Sequence, residues 1–241
     1  MVNTKSVNIN NVTKTFHHHS LSTNVLNSIN VMLKSSEIVF LCGLNGSGKT
    51  TLFRIIAGIL KQDDTNHSKI EFDDKIQSTK ELQEKVLFIP QNIDDAFVND
   101  LFVYEYVTLF NQTLIKKYIA EIKAEWINSL IEKKSKTLLR ELSQGQRQLI
   151  LLLVLLSKEE NIILFDEIFS SIDAVYHRKL WKLIKNTVRE RKLVALFITH
   201  DYEFAYNNAD RMLVLFKGAL VLDNYKTKIS KELFLNKIYE G

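Results

Sequence analysis

The chain has 241 residues, of which 46% are hydrophobic and 25% are charged, with a formal net charge of +4. Its length fits one large domain or one domain with an additional lobe, and its composition excludes a low-complexity or collagen-like protein. Seven residues are glycine and one is proline, against roughly 17 and roughly 12 at average usage, which argues against a turn-rich all-β fold. We therefore expect each glycine to stand where a side chain would be costly.

Charge and cysteine content limit which binding partners and which cellular compartment are expected. The chain has 32 basic and 28 acidic residues, a near balance that predicts no direct nucleic-acid binding. The single cysteine, Cys42, follows apolar residues and is predicted to be a buried structural thiol, as expected in a reducing cytosol. The longest apolar run, residues 149–156, is far shorter than the about 20 residues of a membrane-spanning helix. We expect any membrane role to depend on a partner.

The hydrophobic pattern predicts strands and helices in alternation. Alternating or continuous apolar runs predict strands, and spacings of three and four predict helices. The predicted strands are residues 6–12, 25–33, 37–42, 69–72, 86–89, 162–165, 194–199 and 212–216, and the predicted helices include 51–57, ending at Gly58, and 175–189. This alternation indicates an α/β domain with a mostly parallel sheet. Residues 92–157 show mainly helical spacing, which predicts an α-helical lobe inserted in a single domain spanning 1–241.

A phosphate-binding loop is predicted after the third strand. Residues 43–50, GLNGSGKT, fit the pattern G-x-x-x-x-G-K-[ST] between a predicted strand and a predicted helix. Glycines let backbone N–H groups approach phosphate, and the helix N-terminus adds free donors. Lys49 can reach β- and γ-phosphates, and the Thr50 hydroxyl can hold Mg²⁺. The predicted nucleotide-binding residues here are Gly43, Leu44, Asn45, Gly46, Ser47, Gly48, Lys49, Thr50 and Thr51.

Two acids end the predicted strand at residues 162–165. Parallel strands would bring Asp166 and Glu167 to the same edge of the sheet as the phosphate-binding loop. Asp166 suits Mg²⁺, directly or through water, and Glu167 could polarise a water for attack on the γ-phosphate. Taken alone, the pair would be better explained as a solvated acidic turn after a strand.

Further short motifs accompany these two in a fixed order. They are Gln91 after Pro90, Leu-Ser-Gln-Gly-Gln at 142–146, Ser-Ser-Ile-Asp at 170–173 and Thr-His-Asp at 199–201. The set resembles the nucleotide-binding domains of ATP-binding cassette (ABC) ATPases over nearly the whole chain. The phosphate-binding loop is shared by many NTPases, whereas the Leu-Ser-x-Gly-Gln signature in this order is specific.

The resemblance implies a P-loop NTPase core with a mostly parallel sheet, an antiparallel β subdomain and an inserted α-helical lobe. It also implies a head-to-tail dimer of two copies that encloses two ATP molecules with Mg²⁺. Ser143 and Gly145 would contact the γ-phosphate held by the other copy, and Asp173 would cross the dimer interface.

The resemblance assigns three more residues to the nucleotide. Gln91 would contact Mg²⁺ and the attacking water, His200 would hold the γ-phosphate, and Phe16 would stack on adenine. Taken singly, Gln91 could be a surface amide, and His200 and Phe16 could be core residues. The adjacent histidines at 17–19 lack an acid cluster, so we expect an exposed loop there instead of a metal site.

Some positions depart from the family pattern. Gln144 replaces the first glycine of the signature pair, Ile168 stands where many transporter subunits have proline, Phe16 replaces the commoner tyrosine, and Ser36 stands where glycine is common. None of these changes removes a phosphate or metal ligand. The sequence therefore predicts a competent ATPase.

The leading functional hypothesis is the ATPase subunit of an ABC transporter, on the cytoplasmic face of the membrane, with separate multi-span permease subunits. Residues 97–106 are candidates for contact with the permease, although the aromatic residues among them (Phe97, Phe102, Tyr104 and Tyr106) could equally be lobe core. The alternative is a non-transport ABC ATPase acting in translation, repair or cofactor assembly. Translation factors of this type usually carry two cassettes in one chain, and repair proteins a long coiled coil, and neither is predicted.

Overall fold

The chain forms two compact units. The computed structural model describes residues 6–18, 21–63, 67–91, 101–132, 135–170 and 172–241. The core unit comprises residues 1–89, 160–167 and 188–241, and the helical unit comprises residues 90–159 and 168–187. Each unit has its own helices or strands.

The larger sheet of the core unit is mostly parallel. Its strand order is β10-β9-β3-β8-β7-β6, with bounds β3 Ile38–Cys42, β6 Val86–Ile89, β7 Ile162–Asp166, β8 Val194–Ile198, β9 Arg211–Phe216 and β10 Ala219–Tyr225. β3 pairs in parallel with β8 and β9, and β7 pairs in parallel with β6 and β8. β10 is an antiparallel edge strand beside β9. The three central strands β3, β7 and β8 are buried at every residue, which explains their continuous apolar runs.

A second, antiparallel sheet has the order β2-β1-β4-β5. Its strands are β1 Ser6–His18, β2 Leu21–Lys34, β4 Lys69–Phe72 and β5 Lys75–Ile76. This sheet is the antiparallel subdomain that the sequence resemblance implied. The prediction of a loop at the adjacent histidines 17–19 is wrong for His17, because His17 lies in β1 and pairs with Ser22 of β2. His19 lies outside the described residues.

Helix α1 connects the two sheets of the core unit through shared apolar packing. It spans Lys49–Ile56, and Gly58 follows its C-terminal end with φ 68°, in the conformation typical of a helix stop. Its buried residues Phe53 and Ile56 share one apolar cluster with Leu26 of β2 and Leu41 of β3. The other helices of this unit are α2 Thr79–Lys85, α8 Tyr202–Asn208 and α9 Lys231–Tyr239.

The helical unit contains α3 Val103–Thr108, α4 Gln112–Ile122, α5 Trp126–Leu130, α6 Gln144–Leu156 and most of α7 Ala174–Glu190. Tyr118 of α4 donates to the Leu156 carbonyl at 3.4 Å, and Trp126 Nε1 donates to the Tyr176 hydroxyl at 2.7 Å. α6 is buried on nearly all sides, so the apolar run at 149–156 belongs to an interior helix. Across the described ranges, no helix combines the length and the apolar composition needed to cross a bilayer.

Candidate functional site

The loop between β3 and α1 lies close to neighbouring backbone at two glycines. A Cβ on Gly43 (φ 146°) would lie 2.2 Å from the carbonyl oxygen of Leu215 in β9. A Cβ on Gly48 (φ 104°) would lie 2.8 Å from the carbonyl oxygen of Val25 in β2. Neither clash can be relieved by moving a flexible side chain, because both involve main-chain atoms. At these two positions the expectation of costly glycine sites is met.

Lys49 is buried at the start of α1 and folds back onto the loop. Its Nζ donates to the carbonyl oxygens of Gly43 at 2.7 Å and Leu44 at 3.0 Å. Burial lowers the pKa of Lys49 below its ordinary value, while the nearby Glu167 and Asp166 carboxylates act in the opposite direction. A buried ammonium that donates to neutral carbonyls gains from an anionic partner. The loop therefore presents a cation suited to phosphate.

Thr50 and Asp166 meet, as the shared sheet edge predicted. Thr50 Oγ1 donates to Asp166 Oδ2 at 3.2 Å, and Asp166 is only 4% exposed. Burial is the largest of the effects that raise the pKa of Asp166. A nearby cation would therefore stabilise the charged form of this carboxylate. Two hard oxygen donors of this kind are the ligands that Mg²⁺ prefers.

Ser47, in the same loop, has a side chain suited to a polar ligand. Its Oγ is buried and has no hydrogen-bond partner within the described part of the chain. Buried hydroxyls are normally hydrogen-bonded, and an orphaned one marks a place for a polar ligand. The residues present thus fit a phosphate group with a magnesium ion.

Glu167 and His200 form a close pair next to this loop. His200 Nε2 lies 2.8 Å from Glu167 Oε1. Glu167 has φ 50°, and its backbone N–H donates to the Ile198 carbonyl at 3.0 Å. Positive φ in a non-glycine residue costs roughly 1–2 kcal/mol and persists only where the surroundings hold it. The strand ends of β7 and β8 therefore place these two side chains together at some energetic cost.

Phe16 lies on β1, beyond the end of the predicted strand, and is 42% exposed. The alternative that Phe16 is a core residue is therefore excluded. Lys14 Nζ lies 5.4 Å from its ring centroid and also binds Asp63 Oδ1 at 2.9 Å. The aromatic ring is available for stacking at the surface.

The signature motif begins helix α6 in the helical unit. Ser143 is the N-cap, its Oγ accepts from the Gln146 N–H at 3.3 Å, and the Gln146 side chain accepts from the Ser143 N–H at 2.9 Å. Gly145 lies in the first turn. A serine cap at the first turn of a helix is an arrangement that can bind an anion.

Gln91 and Asp173 also belong to the helical unit. Both side chains are exposed; Gln91 follows β6 and Pro90, and Asp173 precedes α7. Gln148 Nε2 donates to the Ile168 carbonyl at 2.7 Å, tying α6 to the segment between Glu167 and Asp173. Ser171 of that segment lies outside the described residues.

The residues predicted to contact the permease differ in how deeply they are buried. Tyr106 is 9% exposed, and its ring lies 5.4 Å from that of Phe110, so it belongs to the lobe core. Phe102 and Tyr104 stack with centroids 5.8 Å apart and are partly exposed. Phe97 lies outside the described residues.

Comparison with known proteins identifies the family. Residues 26–170 match the family model described as ABC transporter. The chain belongs to this family. It is 33% identical over 222 residues to the sulfate/thiosulfate import ATP-binding protein CysA of Shigella flexneri, covering 88% of this chain and 58% of that protein. The chain thus spans little more than half of this relative's length.

Two solved structures show the ABC cassette fold. A bacterial Atm1-family ABC exporter with ATP bound has TM-score 0.79 and 18% identity, covering 100% of this chain and 43% of that one. The dimeric post-hydrolysis state of the ATP-binding cassette MJ0796 bound to ADP and Pi has TM-score 0.74 and 24% identity, and the match covers 91% of this chain and 98% of that one. The predicted α/β fold is confirmed.

Within this ABC cassette, sequence reasoning missed Tyr202, the first residue of α8. Its hydroxyl donates to the Gly43 carbonyl at 3.1 Å, and its ring lies 6.4 Å from the His200 ring. Burial is the main cause that raises the pKa of Tyr202 to about 12. No motif marks this residue; the only available signal was its position two residues after His200.

Proposed function

We propose that this chain is the ATP-binding and ATP-hydrolysing subunit of an ABC transporter. The contact between Thr50 and Asp166 at 3.2 Å carries the proposal, because it places the acid pair beside the phosphate-binding loop. On this proposal, the two units are parts of one ABC domain spanning residues 1–241. The helical lobe, at about 92–157, is an insertion in the sequence of the core.

The loop residues 43–51 would hold the nucleotide phosphates. Lys49 would leave the Gly43 and Leu44 carbonyls and turn toward the β- and γ-phosphates, where an ionic hydrogen bond is stronger than a neutral one. Backbone N–H groups at the start of α1 would complete the cradle. Thr50 and Asp166 would hold Mg²⁺, which neutralises phosphate charge when bound.

Glu167 would accept the proton of the attacking water, and His200 would donate to the γ-phosphate. Their present contact at 2.8 Å uses the groups that both roles require. Nucleotide binding would therefore either break the contact between Glu167 and His200 or add the nucleotide as a further partner of both side chains. The strained backbone of Glu167 keeps its carboxylate at the strand end.

A head-to-tail pair of copies would complete each site, with Ser143 and Gly145 of one copy at the γ-phosphate held by the other. The Ser143 oxygen already accepts from the Gln146 N–H, which leaves its own O–H free to donate to a phosphate oxygen. Asp173 is exposed at the start of α7, as an interface residue must be. Phe16 would support adenine on its exposed ring.

The membrane partners would be multi-span permease subunits, which would hold this chain at the cytoplasmic face. The relative CysA is an import ATP-binding protein, which favours import. Selection of the solute would belong to the permease.

Co-purification tests the transport role against the non-transport alternative. The tagged chain, expressed in its native cell and extracted from membranes with detergent, should retain a multi-span membrane protein and show ATPase activity. ATPase activity stimulated by RNA or DNA, with no membrane protein retained, would refute the transporter assignment.

A further inference from the structure

The carbonyl oxygen of Gly43 accepts two hydrogen bonds. Lys49 Nζ donates to it at 2.7 Å, and the Tyr202 hydroxyl donates at 3.1 Å. Gly43 is buried, and buried carbonyls are almost always hydrogen-bonded. Two donors on one carbonyl mean that either can leave without orphaning it.

Lys49 is the donor that leaves when nucleotide binds, on the function proposed above. We propose that Tyr202 is a positioning residue for the nucleotide site, whose hydroxyl keeps the Gly43 carbonyl hydrogen-bonded after Lys49 turns to the phosphates. Tyr202 thereby lowers the free-energy cost of moving Lys49. It acts through the Gly43 carbonyl.

The position of the Tyr202 hydroxyl is fixed by its own surroundings. Its ring packs edge-on against His200 at 6.4 Å and against Tyr239 at 6.3 Å. Asp201 caps the helix that Tyr202 begins, accepting from the Phe204 N–H at 2.8 Å. A phenol held in this way donates to the loop without losing further conformational freedom when nucleotide binds.

A purely structural hydroxyl would behave differently from a positioning one. If Tyr202 only tied α8 to the loop, its loss would weaken the free and nucleotide-bound protein equally. In the free protein, however, Lys49 still donates to the Gly43 carbonyl, whereas once Lys49 has left, no other donor among the described residues would replace Tyr202. The loss should therefore act on the bound state.

The test compares Tyr202→Phe with Tyr206→Phe by calorimetric titration with a non-hydrolysable ATP analogue and Mg²⁺. Tyr206 lies one turn further along α8 and donates its hydroxyl to the Ile229 carbonyl at 3.1 Å, so it is a matched control. Tyr202→Phe should raise the Kd about fivefold, the equivalent of ~1 kcal/mol. Tyr206→Phe should leave the Kd within about twofold of the parent. An unchanged Kd for Tyr202→Phe, or an equal rise for both variants, would overturn the inference.

Lys49→Ala separates this inference from the proposed function. If Lys49→Ala leaves the Kd unchanged, the assignment of Lys49 to the phosphates fails, and the inference fails with it. If Lys49→Ala weakens binding and Tyr202→Phe does not, the inference alone is wrong.

Coupling in the free protein gives a second readout. In Lys49→Ala, only Tyr202 remains on the Gly43 carbonyl, so adding Tyr202→Phe should lower the urea midpoint clearly, whereas Tyr202→Phe alone should lower it little. Equal shifts in the two backgrounds would show that the two donors do not substitute for each other, which contradicts the inference.

Discussion

His200 Nε2 lies 2.8 Å from Glu167 Oε1, which joins the ends of β7 and β8 through their side chains. A carboxylate and an imidazole in contact beside a phosphate-binding loop can divide between them the roles of proton acceptor and phosphate ligand. The assignment of the base to Glu167 is the most direct point to test.

Glu167→Gln should abolish most ATP hydrolysis and leave ATP binding intact. Gln keeps the shape of Glu but cannot accept the proton of the attacking water, and loss of a general base typically costs about 10²–10⁴-fold in rate. Steady-state phosphate release measures the rate, and equilibrium titration measures binding. The matched control is Glu203→Gln, an exposed acid of α8 whose change should leave both unchanged. Hydrolysis by Glu167→Gln at near the parental rate would show that another group is the base.

Lys49→Ala should weaken nucleotide binding by about 10- to 100-fold, because hydrogen bonds to a charged group contribute about 1.5–3 kcal/mol. Titration with the ATP analogue measures the loss. Lys231→Ala removes a cation of the core unit that pairs with Glu203 and should have no effect on affinity. Parental affinity in Lys49→Ala would contradict the phosphate-binding role of the loop.

Phe16→Ala should raise the Kd for ATP at least about fivefold, since stacking of a base on an aromatic side chain contributes about 1–3 kcal/mol. Phe16→Tyr, which keeps the ring, should bind as the parent does. Leu21→Ala removes an exposed apolar side chain from the neighbouring strand β2 and is the control for surface apolarity. If Phe16→Ala and Leu21→Ala bind ATP equally well, Phe16 is not the adenine platform.

Cys42 should resist alkylation in the folded protein at pH 8 and react once urea unfolds it. Burial is the main cause that raises the pKa of Cys42 from 9.0 to about 12, so neither access nor thiolate is available in the folded state. Mass spectrometry after iodoacetamide treatment measures the modification. Rapid labelling without urea would contradict the buried position.

The same shift predicts a pH dependence of stability. Between about pH 9 and pH 12 the unfolded thiol loses its proton while the folded thiol keeps it, so this contribution to the free energy of unfolding falls as pH rises. Cys42→Ala removes this contribution, and its urea midpoint should fall less steeply with pH over that range than the parent's. Identical slopes would contradict the shift.

The central strands, the phosphate-binding loop and the acid pair could be predicted from the sequence because each has a local signature. β3, β7 and β8 are continuous apolar runs, and the loop pattern fixes the start of α1. The parallel arrangement expected for these strands then predicted that Thr50 and Asp166 would lie at one sheet edge.

Other elements carry no such signature. Helix α2 buries only Leu82 and depends on the capping box formed by Ser78 and Glu81, so it shows no apolar stripe. The continuation of β1 past residue 12 depends on pairing with β2, a tertiary effect. The hydrogen bond from Tyr202 to Gly43 joins residues far apart in sequence, and no local pattern encodes it.

The left-handed backbone of Glu167 affects which residue type fits at the next position, 168. A proline at position 168 would favour extended backbone at Glu167, away from its φ of 50°. Ile168 imposes no such restriction. Restoring the common family residue at position 168 would therefore work against the backbone conformation that Glu167 has in this chain.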